Sequence, residues 1–304
     1  MSVTIRVPAT SANVGVGFDC LGIALDLEAS FHFEASDDGQ LHIAGCPQRF
    51  RGADNLVWTS YLHACRAWGL PSGLLSININ SPIPLAGGLG SSSACIVAGI
   101  CAAQLLGGQA IDRKATLRLA TSLEGHPDNI APAVLGGLVC SFVDAGEVTT
   151  IRFDVADKLR FVAIVPPYEV RTSDARRVLP SEVPLSVAVW QTGRCVAMVH
   201  ALEAGDAQLI AACAHDRLHE PYRAKLIPDY EAFRSASLAA GASAFVISGS
   251  GATMLAICDG DAHAKSVIDT ISAMESVAEA EGGKRGVKAF LLHPCSTGAV
   301  RLDL

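Results

Sequence analysis

The sequence predicts an α+β protein built from two packed lobes. Half of the 304 residues are hydrophobic, which is enough for two cores of ordinary size. Segments with strand and helix periodicity alternate irregularly, unlike the strict strand–helix repeat of a doubly wound parallel sheet. The chain contains no internal repeat and no low-complexity tract, so we expect no flexible linker. We assign the lobes to residues 1–160 and 161–304.

Composition and charge exclude several classes of partner. The formal net charge of −7 argues against a general nucleic-acid or anionic-membrane surface, which would need clustered Lys and Arg. The N-terminus lacks the apolar stretch of a signal peptide, and the longest apolar run, Ala94–Ala103, is too short to span a bilayer. The ten cysteines include no C-x-x-C pair, as is typical of a reducing cytosol. We therefore expect a cytoplasmic protein with no nucleic-acid or membrane partner.

The periodicity of apolar residues predicts the elements of both lobes. The predicted strands are Val3–Val7, Leu21–Ala35, Gln40–Ala44, Leu74–Asn80, Gly137–Val143, Val148–Phe153, Phe161–Val165, Ala244–Ser248, Thr253–Cys258, Gly286–Leu292 and one at the C-terminus. Pro8 is expected to end the first of them. The predicted helices are Asp54–Trp68 capped by Asp54, the apolar run after Ser93, Asp112–Leu123 capped by Asp112, a capped start at Thr172, Pro184–Ala204, Asp206–Leu218, Asp229–Ala240 and His263–Glu281. The segment His219–Arg223 is predicted as a turn.

A glycine–serine loop between a strand and an apolar helix is the first candidate site. Leu74–Asn80 leads through two prolines into three glycines, which are followed by Ser91–Ser93 and the helical run. Glycines allow close approach of a ligand to the backbone, and the serines stand where a helix N-cap is expected. The free amides and positive dipole end of that helix would bind an anion, most simply a phosphate. The alternative is a glycine-rich loop followed by an ordinary capped core helix.

Two common phosphate-binding loops do not match this segment. A Walker loop needs a lysine after the last glycine, but Gly90 is followed by serines. A dinucleotide-binding loop needs G-x-G-x-x-G directly after a strand, and here the third glycine is missing. Asp112 lies at the distance of a ribose contact, but it fits better as a helix cap.

The loop and several distant segments instead resemble one kinase superfamily. Pro84–Ala94 resembles the P-x-x-x-G-L-G-S-S-x-A nucleotide loop of the galactokinase, homoserine kinase, mevalonate kinase and phosphomevalonate kinase (GHMP) superfamily. Pro8–Asp19 with Gly22 is similar to the P-A-T-S-A-N-L-G-x-G-F-D-x-x-G segment of homoserine kinases, with Val14 in place of Leu. Further matches follow in order at Glu124–Asn129, Thr172–Arg176, Glu220–Arg223 and Ser248–Thr253, where Ala252 replaces a common proline. The resemblance covers essentially the whole chain.

This resemblance implies a fold and a reaction. The fold would be the two-lobed GHMP-kinase fold, with a ribosomal-protein-like α+β domain at the N-terminus and a ferredoxin-like α+β domain at the C-terminus. The reaction would be transfer of the ATP γ-phosphoryl group to the side-chain hydroxyl of L-homoserine, with ATP and Mg²⁺ as cofactors. The family also suggests a homodimer.

The resemblance further implies a nucleotide site. Its nucleotide-binding residues would be Asn55, Pro84, Gly87, Gly88, Leu89, Gly90, Ser91, Ser92, Ser93, Ala94, Gly249, Ser250 and Gly251. Ser92 and Glu124 would hold Mg²⁺, which prefers oxygen ligands, and Asn55 would approach the adenine. Glu124 could also be a solvated residue in the last turn of its helix. Asn55 could equally be a polar residue in the first turn of its helix.

A second set of matched residues would bind the amino-acid substrate. Arg176 and Arg223 would bind its carboxylate, because a guanidinium can make a two-pronged bond that lysine cannot. Asp19 and Asn13 would take the ammonium group, and His126 and Thr172 would form further polar walls. The alternative for either arginine alone is a surface ion pair.

The catalytic residues implied by the resemblance are Asn129, near the transferred phosphate, and Asp128. Asp128 could be a general base or a structural hydrogen-bonding group. The hydroxyl proton would pass directly to the phosphate, or be accepted by Asp19 or Asp128. His215 and His219 have the spacing of metal ligands but lack the glutamate of an H-E-x-x-H motif, so we assign them no metal. A sibling kinase for another alcohol, or a silent nucleotide or amino-acid sensor, remains the competing interpretation.

Overall fold

The fold consists of two sheets, in which most neighbouring strands are antiparallel, with helices packed against them. The computed structural model describes residues 2–85, 87–280 and 286–302. Side chains are described for these ranges except at 275–280. The strands are β1 Ser2–Ala12, β2 Leu21–Ala35, β3 His42–Ala44, β4 Leu75–Asn80, β5 Leu138–Asp144, β6 Glu147–Phe153, β7 Leu159–Val165, β8 Ala244–Ile247, β9 Met254–Asp259, β10 Lys288–Leu292 and β11 Val300–Leu302. The helices are α1 Leu56–Trp68, α2 Ser91–Leu106, α3 Arg113–Glu124, α4 Ile130–Leu135, α5 Thr172–Arg177, α6 Leu185–Ala204, α7 Ala207–Cys213, α8 Glu220–Arg223, α9 Tyr230–Ala239 and α10 Asp261–Ala280. The predicted α+β class is confirmed.

The first sheet is organised around the long strand β2. Within the described ranges it has seven strands, with the path β11-β1-β2-β4-β3 and with β5 and β6 joined to the other end of β2. β2 has the predicted bounds, but β1 does not end at Pro8. The register shifts between Pro8 and Ala9, and the strand continues to Ala12. A bulge lets a proline, which has no N–H to donate, lie within a paired strand. This extension brings Thr10 and Asn13 to the site described below.

Helix α2 is the centre of the first core. Its residues are apolar on nearly every side and most of them are buried, as expected for a helix enclosed on all sides. It packs against α1, where a Cβ placed on Gly99 would overlap Val57 O and would lie 2.9 Å from Tyr61 N. The two helix backbones therefore approach closely at Gly99.

The second sheet has the order β10-β7-β9-β8 and is antiparallel throughout. Alternate residues of its strands face opposite sides. Phe161 and Leu255 join the core of the first lobe, whereas Val162 and Met254 pack with α9 and α10 in a separate cluster. The expected boundary between the lobes at residue 160 stays a prediction. Two strands do not follow a division of the sheets at that residue. β7 begins at Leu159 and lies wholly in the second sheet, and β11 returns to pair with β1 in the first.

Several predicted helix ends are wrong by a short distance. Asn55, not Asp54, caps α1, because its Oδ1 accepts from Val57 N and Trp58 N. α5 begins at Thr172 without a side-chain cap. Asp112 caps α3 as predicted, accepting from Ala115 N at 3.0 Å.

The region from Asp206 to Arg223 also departs from prediction. The helix predicted for Asp206–Leu218 ends at Cys213, and the turn predicted for His219–Arg223 contains the short helix α8. Ala86 of the nucleotide loop and Glu281 at the predicted end of α10 lie outside the described residues. Among the described helices, none has both the length and the apolar character required to cross a membrane.

The close approach of α1 and α2 makes Gly99 a stability determinant. We expect Gly99→Ala to lower the free energy of unfolding by about 1–3 kcal/mol, because the added methyl group must force two helix backbones apart. Gly193→Ala is the matched control: this glycine also lies inside a helix, but a Cβ there would meet no atom within 4 Å. The control should be neutral or stabilise by up to about 1 kcal/mol. Urea denaturation measures both, and equal effects would contradict the packing described here.

Candidate active site

The glycine loop is held in place from two directions. Thr10 N in β1 donates to Leu89 O at 3.2 Å. From the loop between β8 and β9, Ser248 Oγ donates to Gly88 O at 2.6 Å, and Thr253 N donates to Gly87 O at 3.1 Å. The loop is therefore fixed through its carbonyl oxygens by both sheets.

Two of its glycines are required by conformation and by space. Gly88 and Gly90 have φ angles of 84° and 70°, in the left-handed region that favours glycine. A Cβ on Gly90 would overlap Thr10 Oγ1, and one on Gly88 would overlap Ser248 O. The sequence pattern therefore reflects a loop pressed tightly against its supports.

The serines occupy the first turn of α2 and not its N-cap. Gly90 is the N-cap, and no side chain caps this end of the helix. The predicted serine cap is thus wrong by one residue. The amides of the first turn remain available for an anion, and the helix dipole favours negative charge at this point.

Ser92 and Glu124 supply two oxygen groups beside this helix end. Ser92 Oγ donates to Glu124 Oε2 at 3.1 Å, and Ser93 Oγ lies 3.5 Å from Glu124 Oε1. Glu124 ends α3, directly before Gly125 in the left-handed conformation. No cluster of three or more His, Cys, Asp or Glu residues suited to a metal occurs in the described ranges. The oxygen pair fits Mg²⁺, which commonly takes few protein ligands together with phosphate oxygens and waters.

A cavity of about 130 Å³, the central cavity, joins the helix end to the predicted substrate residues. Sixteen predicted residues lie on its wall: Asn13, Asp19, Gly88, Gly90, Ser91, Ser92, Ser93, Glu124, His126, Asp128, Asn129, Thr172, Arg176, Arg223, Gly249 and Ser250. Six others, Asn55, Pro84, Gly87, Leu89, Ala94 and Gly251, do not line it. Of these, Leu89 and Ala94 are buried in the core behind the loop, where they support it.

A second, apolar cavity of about 400 Å³ adjoins the first. It shares Ser91, Ser92 and Thr172 with the central cavity, and Phe50, Leu56, Ile79, Ile83 and Leu85 are among its lining residues. Asn55 lies on its wall, but both ends of its amide are already bonded. Oδ1 caps α1, and Nδ2 donates to Phe50 O at 2.6 Å.

Asp19 and Arg176 form a two-pronged ion pair across the mouth of the central cavity. Arg176 Nη1 and Nη2 each lie 3.0 Å from one oxygen of Asp19. Asn13 Oδ1 accepts from Asp19 N at 3.0 Å and so fixes the turn that carries the carboxylate. The two side chains are 36% and 39% exposed. A pair this exposed contributes only about 0–1 kcal/mol, so a ligand can share or replace it.

Arg223 differs from Arg176 because it is buried and makes no ion pair with any residue that the structure describes. Its Nη1 donates to Gly249 O at 2.8 Å and its Nε to Ala175 O at 3.3 Å. Within the described ranges no carboxylate lies within ion-pair distance of it, and burial lowers the pKa of its guanidinium. A buried unpaired charge is costly. The site therefore contains a fixed positive charge that an anionic ligand would neutralise.

Asp128 and Asn129 also line the central cavity. Asp128 is buried, and its Oδ1 accepts from His126 Nδ1 at 2.8 Å and from Asn129 N at 3.0 Å. The Asp128 carboxylate raises the pKa of His126 above its usual value. Asn129 Oδ1 accepts from Thr10 Oγ1 at 2.8 Å, which leaves the Asn129 amide nitrogen available to the cavity.

Sequence reasoning missed several residues that support this site. Thr10 lies in a matched motif but was given no role, although it holds both the glycine loop and Asn129. Gln191, Asp216 and His219 form buried hydrogen bonds behind the cavity, and nothing in the sequence around Gln191 signals this. His219 is fully buried, and its Nε2 lies 2.7 Å from Gly15 O.

Comparison with protein families defines the class. The GHMP kinase N-terminal domain model matches residues 55–137, and the GHMP kinase C-terminal model matches residues 198–276. The first match includes the glycine loop, Glu124 and Asn129, and the second includes β8, β9 and the loop between them. The chain belongs to the GHMP kinases.

Individual relatives narrow this class. The chain is 39% identical to a homoserine kinase of Clostridium beijerinckii, over 84% of this chain and 86% of that protein. It is 37% identical to a homoserine kinase of Caldicellulosiruptor bescii, over 91% of each. The crystal structure of homoserine kinase from Cytophaga hutchinsonii superposes with a TM-score of 0.87 at 31% identity, covering 99% of this chain and 97% of that one. Within the GHMP kinases, the chain belongs to the homoserine kinase family.

We expect the pair of Asp128 and His126 to make a pH-dependent contribution to stability. Because folding raises the pKa of His126, the pair stabilises the protein fully below the usual value near 6.5. That stabilisation is lost as the pH rises through the raised pKa. We expect the near-isosteric Asp128→Asn substitution to lower the pKa of His126, as measured by NMR titration of the imidazole.

The matched control is Asp37→Asn, which removes an exposed carboxylate elsewhere on the surface. It should leave the His126 titration unchanged. An unaltered His126 titration in Asp128→Asn would show that the two side chains do not pair.

Proposed function

We propose that this protein is an ATP-dependent homoserine kinase. It transfers the γ-phosphoryl group of ATP to the side-chain hydroxyl of L-homoserine and produces O-phospho-L-homoserine, on the route to threonine, in the cytoplasm. The observation that carries the proposal is one cavity with an anion-binding helix end on one side and two arginines with an acid and an amide on the other.

The nucleotide half follows from the loop. The backbone amides at the start of α2 bind the phosphates, with Ser91, Ser92 and Ser93 around them. Mg²⁺ held by Ser92 and Glu124 would neutralise charge on the phosphates. The adjoining apolar cavity suits the adenine, which stacks between Phe50, Leu56 and Ile83. Asn55 then shapes this pocket as the cap of α1, and its bonds favour that role over a direct contact with the base.

The substrate half recognises a zwitterion. Arg223, already buried and unpaired, binds the carboxylate together with Arg176. The ammonium group replaces Arg176 beside Asp19, with Asn13, His126 and Thr172 around it. Substrate binding thus replaces one exposed ion pair with two interactions, one at the carboxylate and one at the ammonium group of the amino acid.

The chemical step is an in-line displacement. The homoserine hydroxyl oxygen forms a bond to the γ-phosphorus while the bond from that phosphorus to the leaving ADP oxygen breaks. Asn129 donates to the transferred phosphoryl oxygens, where charge is concentrated, and positioning supplies most of the rate acceleration. Both contacts of Asp128 are structural, so we propose that the hydroxyl proton passes directly to the phosphoryl group.

A competing function is a sibling kinase for an alcohol that is not an amino acid. A mevalonate kinase structure superposes with a TM-score of 0.72 at 11% identity, which shows a shared fold only. Arg223 separates the two functions, because a substrate without a paired carboxylate and ammonium has no use for both the arginines and Asp19. We also propose a homodimer, which analytical ultracentrifugation tests directly.

A coupled ADP-release assay over L-homoserine, serine, threonine and mevalonate tests the proposed function. We expect stimulation by L-homoserine in the presence of ATP and Mg²⁺. Stimulation by mevalonate without stimulation by homoserine would identify a sibling kinase. Nucleotide binding without turnover of any alcohol would identify a sensor.

Arg176 and its neighbour Arg177 provide a matched pair of variants. Arg176→Ala should raise the homoserine KM about 10-fold to 100-fold, because a charge-assisted contact contributes about 1.5–3 kcal/mol, and should leave the ATP KM within about twofold. Arg177, whose side chain is 76% exposed and pairs with Asp174, should tolerate alanine in both measurements. An equal rise in both KM values for Arg176→Ala would assign this arginine to the nucleotide instead.

A further inference from the structure

We propose that Gln191, Asp216 and His219 form a buried bridge that positions both halves of the substrate site, with Gln191 and His219 acting as positioning residues for the amino acid. This inference rests on the proposed function. None of the three lines the central cavity, so any effect on the substrate acts through other residues. The bridge lies between the turn Asn13–Asp19, which we call the substrate turn, and α8.

Asp216 fixes the start of the helix that carries Arg223. Its side chain is fully buried, and Oδ2 accepts from Leu218 N, His219 N and Glu220 N at 2.6–3.0 Å. α8 has only four residues, too few to be stable without such support. The orientation of Arg223 at the end of α8 therefore depends on Asp216.

His219 connects Arg223 to the substrate turn. Nε2 lies 2.7 Å from Gly15 O, and because a carbonyl oxygen only accepts, Nε2 carries the proton. Nδ1 is then free to accept from Arg223 Nη1, at 3.4 Å. The imidazole also stacks on Phe18 with ring centroids 5.1 Å apart, and the Arg223 guanidinium lies 5.0 Å from the same ring. One neutral ring thus contacts both the turn and the buried cation.

Gln191 completes the bridge from α6. Nε2 donates to Val16 O at 2.8 Å and to Asp216 Oδ1 at 2.5 Å, while Oε1 accepts from Arg217 N at 3.1 Å. Both of its donors and its acceptor are used, and the side chain is 4% exposed. One amide therefore joins the substrate turn to the segment before α8.

The consequence for binding is geometric. The substrate turn carries Asn13 and Asp19, which we assign to the ammonium group, and α8 carries Arg223, which we assign to the carboxylate. These two groups are only a few bonds apart in an amino acid, so the turn and α8 must keep a fixed separation. The bridge sets that separation, since it is bonded to Gly15 and Val16 on one side and to Arg223 on the other.

The test compares paired variants in steady-state assays with L-homoserine and ATP. His219→Phe keeps a stacking ring but loses the donor to Gly15, whereas His219→Gln keeps an amide donor. Gln191→Met keeps the side-chain length and loses both donors. Thr192→Ala is the control, because Thr192 is exposed on the same helix and bonds only to Ala188 O within it.

We expect His219→Phe and Gln191→Met to raise the homoserine KM at least tenfold, with the ATP KM within about twofold of wild type. His219→Gln should recover most of the loss, and Thr192→Ala should match wild type. Assays are run well below each variant's unfolding midpoint, with the folded fraction measured by circular dichroism, so that a loss of folded protein is counted separately from a loss of affinity.

A purely structural role would give a different pattern. Loss of activity in proportion to the unfolded fraction, equal rises in both KM values, or no recovery in His219→Gln would overturn the bridge. If wild-type protein phosphorylates homoserine and the variants keep its KM, the bridge fails and the proposed function stands. If wild-type protein phosphorylates a different alcohol, the proposed function fails, and the KM for that alcohol then tests the bridge.

Discussion

The burial of the Arg223 guanidinium is the constraint on which the proposed substrate half of the site depends. Removing a positive charge from water is strongly unfavourable unless the charge is paired or well hydrogen-bonded. Here two backbone carbonyls, a neutral imidazole and an aromatic ring contact the cation, and no carboxylate of the described ranges lies within ion-pair distance of it. The protein therefore holds the charge in place without a direct ion pair. A ligand carboxylate would complete the arrangement, which explains why an anionic group on the substrate should bind strongly at this point.

One turn of the second lobe contacts both halves of the proposed site. The loop between β8 and β9 bonds the glycine loop through Ser248 and Thr253, and it presents Gly249 O to both Asn13 Nδ2 and Arg223 Nη1. The glycine loop and the residues proposed to bind the substrate are thereby held at a fixed distance. For a transfer between two bound molecules, that distance determines how often the reacting atoms meet in a productive geometry.

The fold class and most of the residues that line the central cavity could be predicted from the sequence. The residues proposed to contact the ligands lie in short motifs that resemble those of a known family, so the resemblance could assign them. Supporting contacts have no such local signature. Gln191 and Val16 are 175 positions apart, and the apolar pattern of α6 does not show that one of its amides is buried.

The differences between the predicted and observed elements have causes that the periodicity of the sequence does not show. Pro8 normally ends a strand, but a bulge in β1 accommodates it. Asp54 and Asn55 are both good caps, and only the backbone course decides between them. β11 was expected as a strand, but its pairing with β1 depends on how the last segment returns across the molecule. Such pairings are tertiary and cannot be read from periodicity.

Substrate analogues that each lack one charge test the central claim most directly. Turnover is compared for L-homoserine, for 3-aminopropan-1-ol, which lacks the carboxylate, and for 4-hydroxybutanoate, which lacks the ammonium group. All three carry the same terminal hydroxyl. If Arg223 and Arg176 bind a carboxylate while Asp19 and Asn13 bind an ammonium group, kcat/KM falls at least 100-fold for either analogue. Comparable turnover of 3-aminopropan-1-ol would contradict this account, because the buried cation would then have no part in recognising the substrate.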